Sequence, residues 1–327
     1  MKMSVLDQAP ISEGFSAGDA LRNSIDLARR CDALGYQRYW VAEHHGTPAL
    51  ACASPEALIG PIAALTSRIR VGSGGVMLPH YSPFKVAETF CQLSSLYPDR
   101  IDLGLGRASG TDPRTSLALQ RDRTSLSPDD FPQQLAELLA YLSCSIPAQH
   151  PFARQGEMLA PLLKPEPWLL GSSPQSAIWA AQLGLPYAFA DFINSEGASH
   201  AAMYREQFQP SATLLAPRVI VAAWALAADT DAEAEQLASS SRMLFQLFRA
   251  GRLIPVPPVD RALEFLGGNA PSMSRRTIVG SPSKVRSGLE ALAAEYGAEE
   301  VMIVTITHDH AARVRSYALL ARAFGTH

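Results

Sequence analysis

The chain has 327 residues, 47% of them hydrophobic and 18% charged, with a formal net charge of −3. This composition excludes a disordered chain, and the absence of a basic field argues against nucleic acid as the main partner. No apolar run reaches the roughly 20 residues of a membrane span, and the N-terminal MKMSVLDQAP lacks the apolar centre of a signal peptide, so a cytoplasmic location is expected.

Residues 3–9 read as a first strand. Residues 18–34 place Ala20, Leu21, Ile25, Leu27, Ala28 and Leu34 at helical spacing and stop at Gly35, a suitable cap. The aromatic and β-branched stretch 36–43 is a second strand. Ser54, Pro55 and Glu56 supply an N-cap, a proline at the first helical position and early negative charge, opening a helix to about residue 66. A glycine-rich strand follows over 69–78, then a helix over 82–96. Strand 101–105 precedes helix 131–142. The remaining pairs are strand 168–170 with helix 174–183, strand 186–192 with helix 197–208, strand 218–227 with helix 231–249, and strand 301–307 with helix 311–324.

Eight strands, each followed by a helix, predict an α/β fold with a parallel sheet and right-handed crossovers. Eight such units favour a closed (β/α)8 TIM barrel over an open doubly wound sheet. A barrel needs about 250 residues, so the length leaves a surplus. Three stretches escape the alternation: 108–130, 145–167 and 251–276. They are expected as insertions, after the fourth and seventh strands, within a single domain spanning 1–327. The proline- and glycine-rich 251–276 is the lid candidate. The four cysteines, Cys31, Cys52, Cys91 and Cys144, form no CxxC pair, which predicts buried free thiols.

Active sites of parallel barrels lie at the C-terminal strand ends. The second strand ends in Glu43-His44-His45. Alternation sets Trp40, Ala42 and His44 on one face and Tyr39, Val41 and Glu43 on the other, which disfavours a metal shared by the two histidines. These ionisable groups are either site residues or solvated loop residues. Gly72-Ser73-Gly74-Gly75 in the third strand marks a bulge or a close approach, by a ligand or by backbone. The fourth strand runs into Gly104-Leu105-Gly106-Arg107-Ala108-Ser109-Gly110, where the last glycine falls one place too late for the dinucleotide fingerprint. Arg107 is nonetheless placed to pair with a phosphate. The fifth strand ends Leu170-Gly171-Ser172-Ser173-Pro174-Gln175-Ser176, where a helix starts. Free N–H groups, the helix dipole and several hydroxyls make an anion site there, whereas plain capping would need one serine. His308-Asp309-His310 has no third ligand in view, so it reads as polar loop and no metal is expected. Neither a GxSxG elbow nor a Walker motif occurs.

Several segments resemble one family in order and spacing. They are Tyr39-Trp40-Val41-Ala42-Glu43-His44-His45, Gly72-Ser73-Gly74-Gly75-Val76-Met77-Leu78-Pro79 and Asp99-Arg100-Ile101-Asp102-Leu103-Gly104-Leu105-Gly106-Arg107. Later come Gly171-Ser172-Ser173 and Trp179-Ala180-Ala181-Gln182-Leu183-Gly184-Leu185-Pro186. Together they resemble the bacterial luciferase-like monooxygenases across nearly the whole chain. The resemblance implies a (β/α)8 barrel that binds FMN, usually in reduced form. It implies that reduced flavin meets O2 to give a C4a-peroxide, which oxidises a small organic substrate. A flavin reductase would bring electrons from NAD(P)H. The resemblance places His44 beside the flavin and the reacting oxygen, with Glu43 counted as catalytic next to it. It places Gly74 and Gly75 beneath the isoalloxazine, at a non-prolyl cis peptide. Arg107, Ser173 and Ser176 match the phosphate-binding positions, and Gly171 and Ser172 are counted as cofactor-binding beside them.

Two features depart from true luciferase. The reactive-cysteine position is Gly106, and a second phosphate arginine is not fixed among Arg114, Arg121 and Arg123. Light emission is therefore not expected. The deazaflavin F420 is the alternative cofactor, and a non-catalytic flavin-binding protein the alternative function. Met77, Leu78, Phe192 and Trp224 are candidate pocket walls. The resemblance also implies a homodimer through helices 54–66 and 82–96, where Leu58, Ile59, Val86 and Phe90 would need cover.

Overall fold

The computed structural model describes residues 1–107, 112–120, 130–267 and 276–326. The strands among them are β1 (Lys2–Asp7), β2 (Arg38–Val41), β3 (Arg70–Met77), β4 (Ile101–Gly106), β5 (Glu166–Gly171), β6 (Tyr187–Ala190), β7 (Val219–Ala227), β8 (Thr277–Gly280) and β9 (Glu300–Val304). Every pairing between them is parallel. Eight strands close a ring in the order β1-β2-β3-β4-β5-β6-β7-β9 and back to β1, which makes the fold a (β/α)8 TIM barrel. These eight are the strands expected from the sequence.

β8 is an addition to that expectation. It pairs only with β7, from Trp224 opposite Thr277 to Ala227 opposite Gly280, and stands outside the ring. Four residues along one neighbour leave little periodic signal. The helix after it, Pro282–Tyr296, also went unpredicted, although Ser281 and Pro282 are an ordinary helix start.

The helices follow from local chemistry. Helix α1 (Ala17–Ala33) opens on a capping box: Asp19 N–H donates to Ser16 Oγ at 3.1 Å, and Ser16 N–H donates to Asp19 Oδ2 at 2.9 Å. It closes through Gly35 at φ +78°. Helices α2 (Pro55–Ala64) and α3 (Pro83–Leu96) each begin with proline. The three stretches expected as irregular insertions instead carry short helices. These are α4 (Pro113–Leu119), α6 (Ala153–Leu159) and α10 (Val259–Phe265), with α5 (Phe131–Leu142) between the first two. Seven residues make two turns, too few to display an apolar face in sequence. The other helices are α7 (Pro174–Gln182), α8 (Ala198–Gln207), α9 (Asp231–Arg249), α11 (Pro282–Tyr296) and α12 (His310–Phe324).

Alternation along the strands divides the core into two shells. Leu6, Trp40, Trp168, Ile220, Met302 and Val304 fill the barrel interior, while Val5, Tyr39, Val41, Leu103 and Val221 pack outward against the helices. The N-terminal end of the barrel is plugged by charge. Arg38 Nη1 donates to Asp102 Oδ2 at 2.7 Å, its Nε donates to Glu300 Oε1 at 3.1 Å, and its guanidinium lies 4.8 Å from the Trp168 ring centroid. Arg70 and Trp40 donate to the same Asp102. With that end sealed, open space remains at the C-terminal strand ends.

Two further expectations change. Cys31, Cys52 and Cys91 are buried and free, but Cys144 is exposed, at the turn that follows α5. Leu58, Ile59, Val86 and Phe90 are buried within the chain itself, so they need no partner to cover them. Within the stretches 54–66 and 82–96 the exposed large apolar residues are Leu65 and Leu96, at the helix C-terminal ends. No described helix is long and apolar enough to cross a membrane.

Candidate active site

A cavity of about 400 Å3 opens at the C-terminal ends of the strands. It is lined by Glu43, His44, Gly74, Gly75, Arg107, Gly171, Ser172, Ser173 and Ser176, so the barrel brings all the candidate site residues to one place.

β2 ends at Val41, earlier than expected, and the strand's alternation no longer binds Glu43 and His44 to opposite faces. Both reach the cavity. The His44 backbone N–H donates to Cys52 O at 2.9 Å, which fixes the chain. Its Nδ1 is buried with no hydrogen-bond partner among the described residues. Burial, with a smaller push from neighbouring His45, lowers the His44 pKa to about 4, so the imidazole is neutral at ordinary pH. Glu43 differs. Its carboxylate accepts from Met77 N–H at 3.0 Å and from Tyr81 Oη at 2.8 Å, and meets His45 Nε2 at 2.8 Å. These contacts tie the end of β2 to the end of β3.

The Gly74–Gly75 peptide is cis, and the β3–β4 register shifts between Ser73 and Val76. The two glycines serve different needs. A Cβ on Gly75 would sit 2.8 Å from Gly104 O and 3.0 Å from Gly104 C, so β4 backbone demands a glycine there. A Cβ on Gly74 would meet Leu6 Cδ1 at 2.4 Å, inside the barrel.

Across the ring, α7 starts without a side-chain cap, because Ser173 bonds none of its N–H groups. Ser173 is exposed, and Arg107 lies over the Trp179 ring at 5.7 Å from its centroid. Ser176 does not match its expected part as a hydroxyl donor. Its Oγ donates to Ser173 O at 2.8 Å and pairs with Tyr187 Oη at 3.0 Å, leaving its backbone N–H for an anion.

Of the expected walls, Met77 and Phe192 line the cavity. Leu78 is fully buried in the outer shell. Trp224 lines a separate, much smaller cavity with Phe245, and meets Phe192 of the main one edge-on at 5.9 Å between centroids. None of the described residues 251–267 lines the cavity. Val256 is instead bonded to Ile11 and Glu13 at 2.8 Å each, and 268–275 lie outside the described residues. Arg121, Arg123 and residues 108–111 also lie outside them, and Arg114 does not line the cavity. His308 and His310 bond Glu13 O and Asp26 separately, and no metal cluster occurs among the described residues. Residues the sequence did not point to also line the cavity, among them Gln8, Trp179, Ile193 and Met302. Inward alternation along the first strand was a usable signal for Gln8.

Comparison with known proteins agrees with this arrangement. A family model described as luciferase-like monooxygenase matches residues 1–300. The luciferase-like monooxygenase of Escherichia coli (strain K12) is 42% identical, over 97% of this chain and 95% of its own length. The N-acetyl-S-alkylcysteine monooxygenase of Bacillus subtilis (strain 168) is 35% identical, over 99% and 98%. The crystal structure of apo-MsnO8 superposes with a TM-score of 0.92 at 43% identity, covering 100% of this chain and 99% of that one. The oxygenating constituent of 3,6-diketocamphane monooxygenase from Pseudomonas putida, solved with FMN, shares the fold at 20% identity, with a TM-score of 0.73 over 98% and 97%. The chain therefore belongs to the luciferase-like monooxygenase family, and it is an oxidoreductase.

Proposed function

We propose that the protein is a flavin-dependent monooxygenase, using reduced FMN and O2 to oxidise a small organic substrate. One observation carries this: a single cavity holds an unpartnered, neutral His44, the cis Gly74–Gly75 turn, and an uncapped helix start beside Arg107. These residues fit FMN. The start of α7 and Arg107 suit a phosphate dianion, and the apolar walls of Met77, Leu170 and Phe192 suit a flat ring. FMN bound by a neighbour of the same fold supports the choice.

When bound, reduced flavin supplies the electrons that activate O2. The chain's own residues do the rest. Arg107 and the α7 N–H groups anchor the phosphate. Met77 and Phe192 keep water from the ring. His44, neutral and lining the cavity, holds or moves a proton at Nε2, since Nδ1 is enclosed. Glu43 fixes the segments that carry His44 and Met77. A separate reductase is the proposed electron source from NAD(P)H, and a homodimer the proposed assembly.

Anaerobic titration of the purified protein with FMN, reduced FMN and F420, followed by O2 uptake in the presence of candidate substrates, tests this. Reduced FMN should bind and O2 uptake should follow. His44→Ala should retain the flavin and lose substrate oxygenation. Binding of F420 alone, flavin binding without O2 uptake, or unchanged oxygenation by His44→Ala would each overturn the reading.

A further inference from the structure

Gln8 has no part in the site so far. It follows β1, whose alternation turns Leu6 and Gln8 into the cavity and Asp7 outward to Arg313. Gln8 is 7% exposed, and no described residue hydrogen-bonds its carboxamide. The carboxamide opens onto the cavity, so both its donor and its acceptor are left for a ligand there.

The backbone presents Gln8 rigidly. Ala9 N–H donates to Asp7 Oδ1 at 2.7 Å, and Ala42 N–H donates to Asp7 O at 2.9 Å. Ala9 sits at φ +48°, in the left-handed region a non-glycine residue seldom occupies. Arg313 and Tyr39 clamp the Asp7 carboxylate in turn. The register pairs Asp7 with Val41, which sets Gln8 beside Ala42, two residues before His44.

The ring order places β1 opposite β5, at equal remove in either direction. The cavity thus has two polar poles. Arg107, Ser172, Ser173 and the start of α7 form one, and Gln8 with His44 forms the other. FMN has a matching layout: a phosphate at one end, flat apolar ring faces, and an imide edge where N–H stands between two carbonyls. A carboxamide offers donor and acceptor together, as that edge requires.

We propose that Gln8 holds the imide edge of the flavin ring, its carbonyl oxygen accepting from the ring N–H and its NH2 donating to a neighbouring ring carbonyl. This rests on the flavin reading above. An amide-bearing organic substrate presents the same chemistry, so the test separates the two sources.

The experiment titrates the whole protein with FMN and with FMN methylated at the imide nitrogen, read by quenching of flavin fluorescence. The wild type should prefer FMN roughly tenfold, the worth of a hydrogen-bonded pair at an apolar site. Gln8→Met, nearly the same shape, should bind FMN roughly tenfold more weakly and show no preference between the two. If Gln8→Met keeps the wild-type affinity and preference, Gln8 does not hold the flavin, and a substrate amide is the remaining source. If Gln8→Met fails to fold, the wild-type comparison still decides: equal affinity for both flavins overturns the role of Gln8 alone. A wild type that binds neither flavin overturns the flavin reading as well.

Discussion

Met77 N–H donates to Glu43 Oε2 at 3.0 Å, joining the residue before His44 to the residue that closes the glycine-bearing strand. The same carboxylate accepts from Tyr81 and meets His45, so its acceptor capacity is used by the scaffold. Glu43→Gln keeps the shape but turns one oxygen into a donor, leaving a buried donor unpaired. We expect a loss of about 1–3 kcal/mol in urea unfolding. Activity should fall without any change in the shape of its pH profile. A profile that loses a titrating limb would instead make Glu43 a proton-transfer group.

The two glycines of the cis peptide should differ under substitution. At Gly75 the added methyl meets Gly104 backbone, which cannot step aside. At Gly74 it meets the tip of Leu6, which can rotate, and Trp40 Cβ at 3.1 Å, which must give by a few tenths of an ångström. Gly75→Ala should therefore cost about 1–3 kcal/mol, and Gly74→Ala less, with its main effect on flavin binding. Denaturation midpoints and FMN titrations of both variants check the order.

His44 should imprint itself on stability at acid pH. Its folded pKa of about 4 lies below the usual 6.5, so the unfolded chain binds the proton more readily. Stability contributed by this group is then complete above about pH 6.5, lost progressively as pH falls towards 4, and constant below that. The full effect is about 3 kcal/mol from the shift, less for the part of the ring that solvent reaches. The difference in unfolding free energy between wild type and His44→Asn, measured across that range, should carry this slope. A pH-independent difference would contradict the neutral buried imidazole. Activity should likewise show no limb near 6.5 from this residue.

Arg38 offers a separation of stability from chemistry. It is buried at the N-terminal end of the barrel between Asp102 and Glu300 and does not itself line the cavity. Arg38→Ala would take the guanidinium from Glu300 and leave Asp102 with Arg70 alone, at a cost of about 3–5 kcal/mol. Thermal denaturation should register that loss. Molecules still folded at low temperature should bind FMN as the wild type does, consistent with a barrel whose N-terminal end serves stability.

Much of this protein is legible in its sequence. The alternation of eight strands with helices determined the barrel, because parallel neighbours require a crossover between them. Glu43-His44 and Gly171-Ser172-Ser173 stood at strand ends, with Gly74-Gly75 inside the third strand marking a close approach, and such ends share one face of any parallel barrel. That is why all of these segments arrive at one cavity. Tertiary structure decided what each side chain has left to offer. The Ser176 hydroxyl and the Glu43 carboxylate are engaged by partners distant in sequence, Tyr187 and Tyr81. Trp224 faces a different space from Phe192, although the two rings meet edge-on. Gln8 emerges as an unpaired amide only once ring closure sets β1 opposite β5. Spacing along a strand tells which way a residue points, but register and closure determine what stands there to meet it.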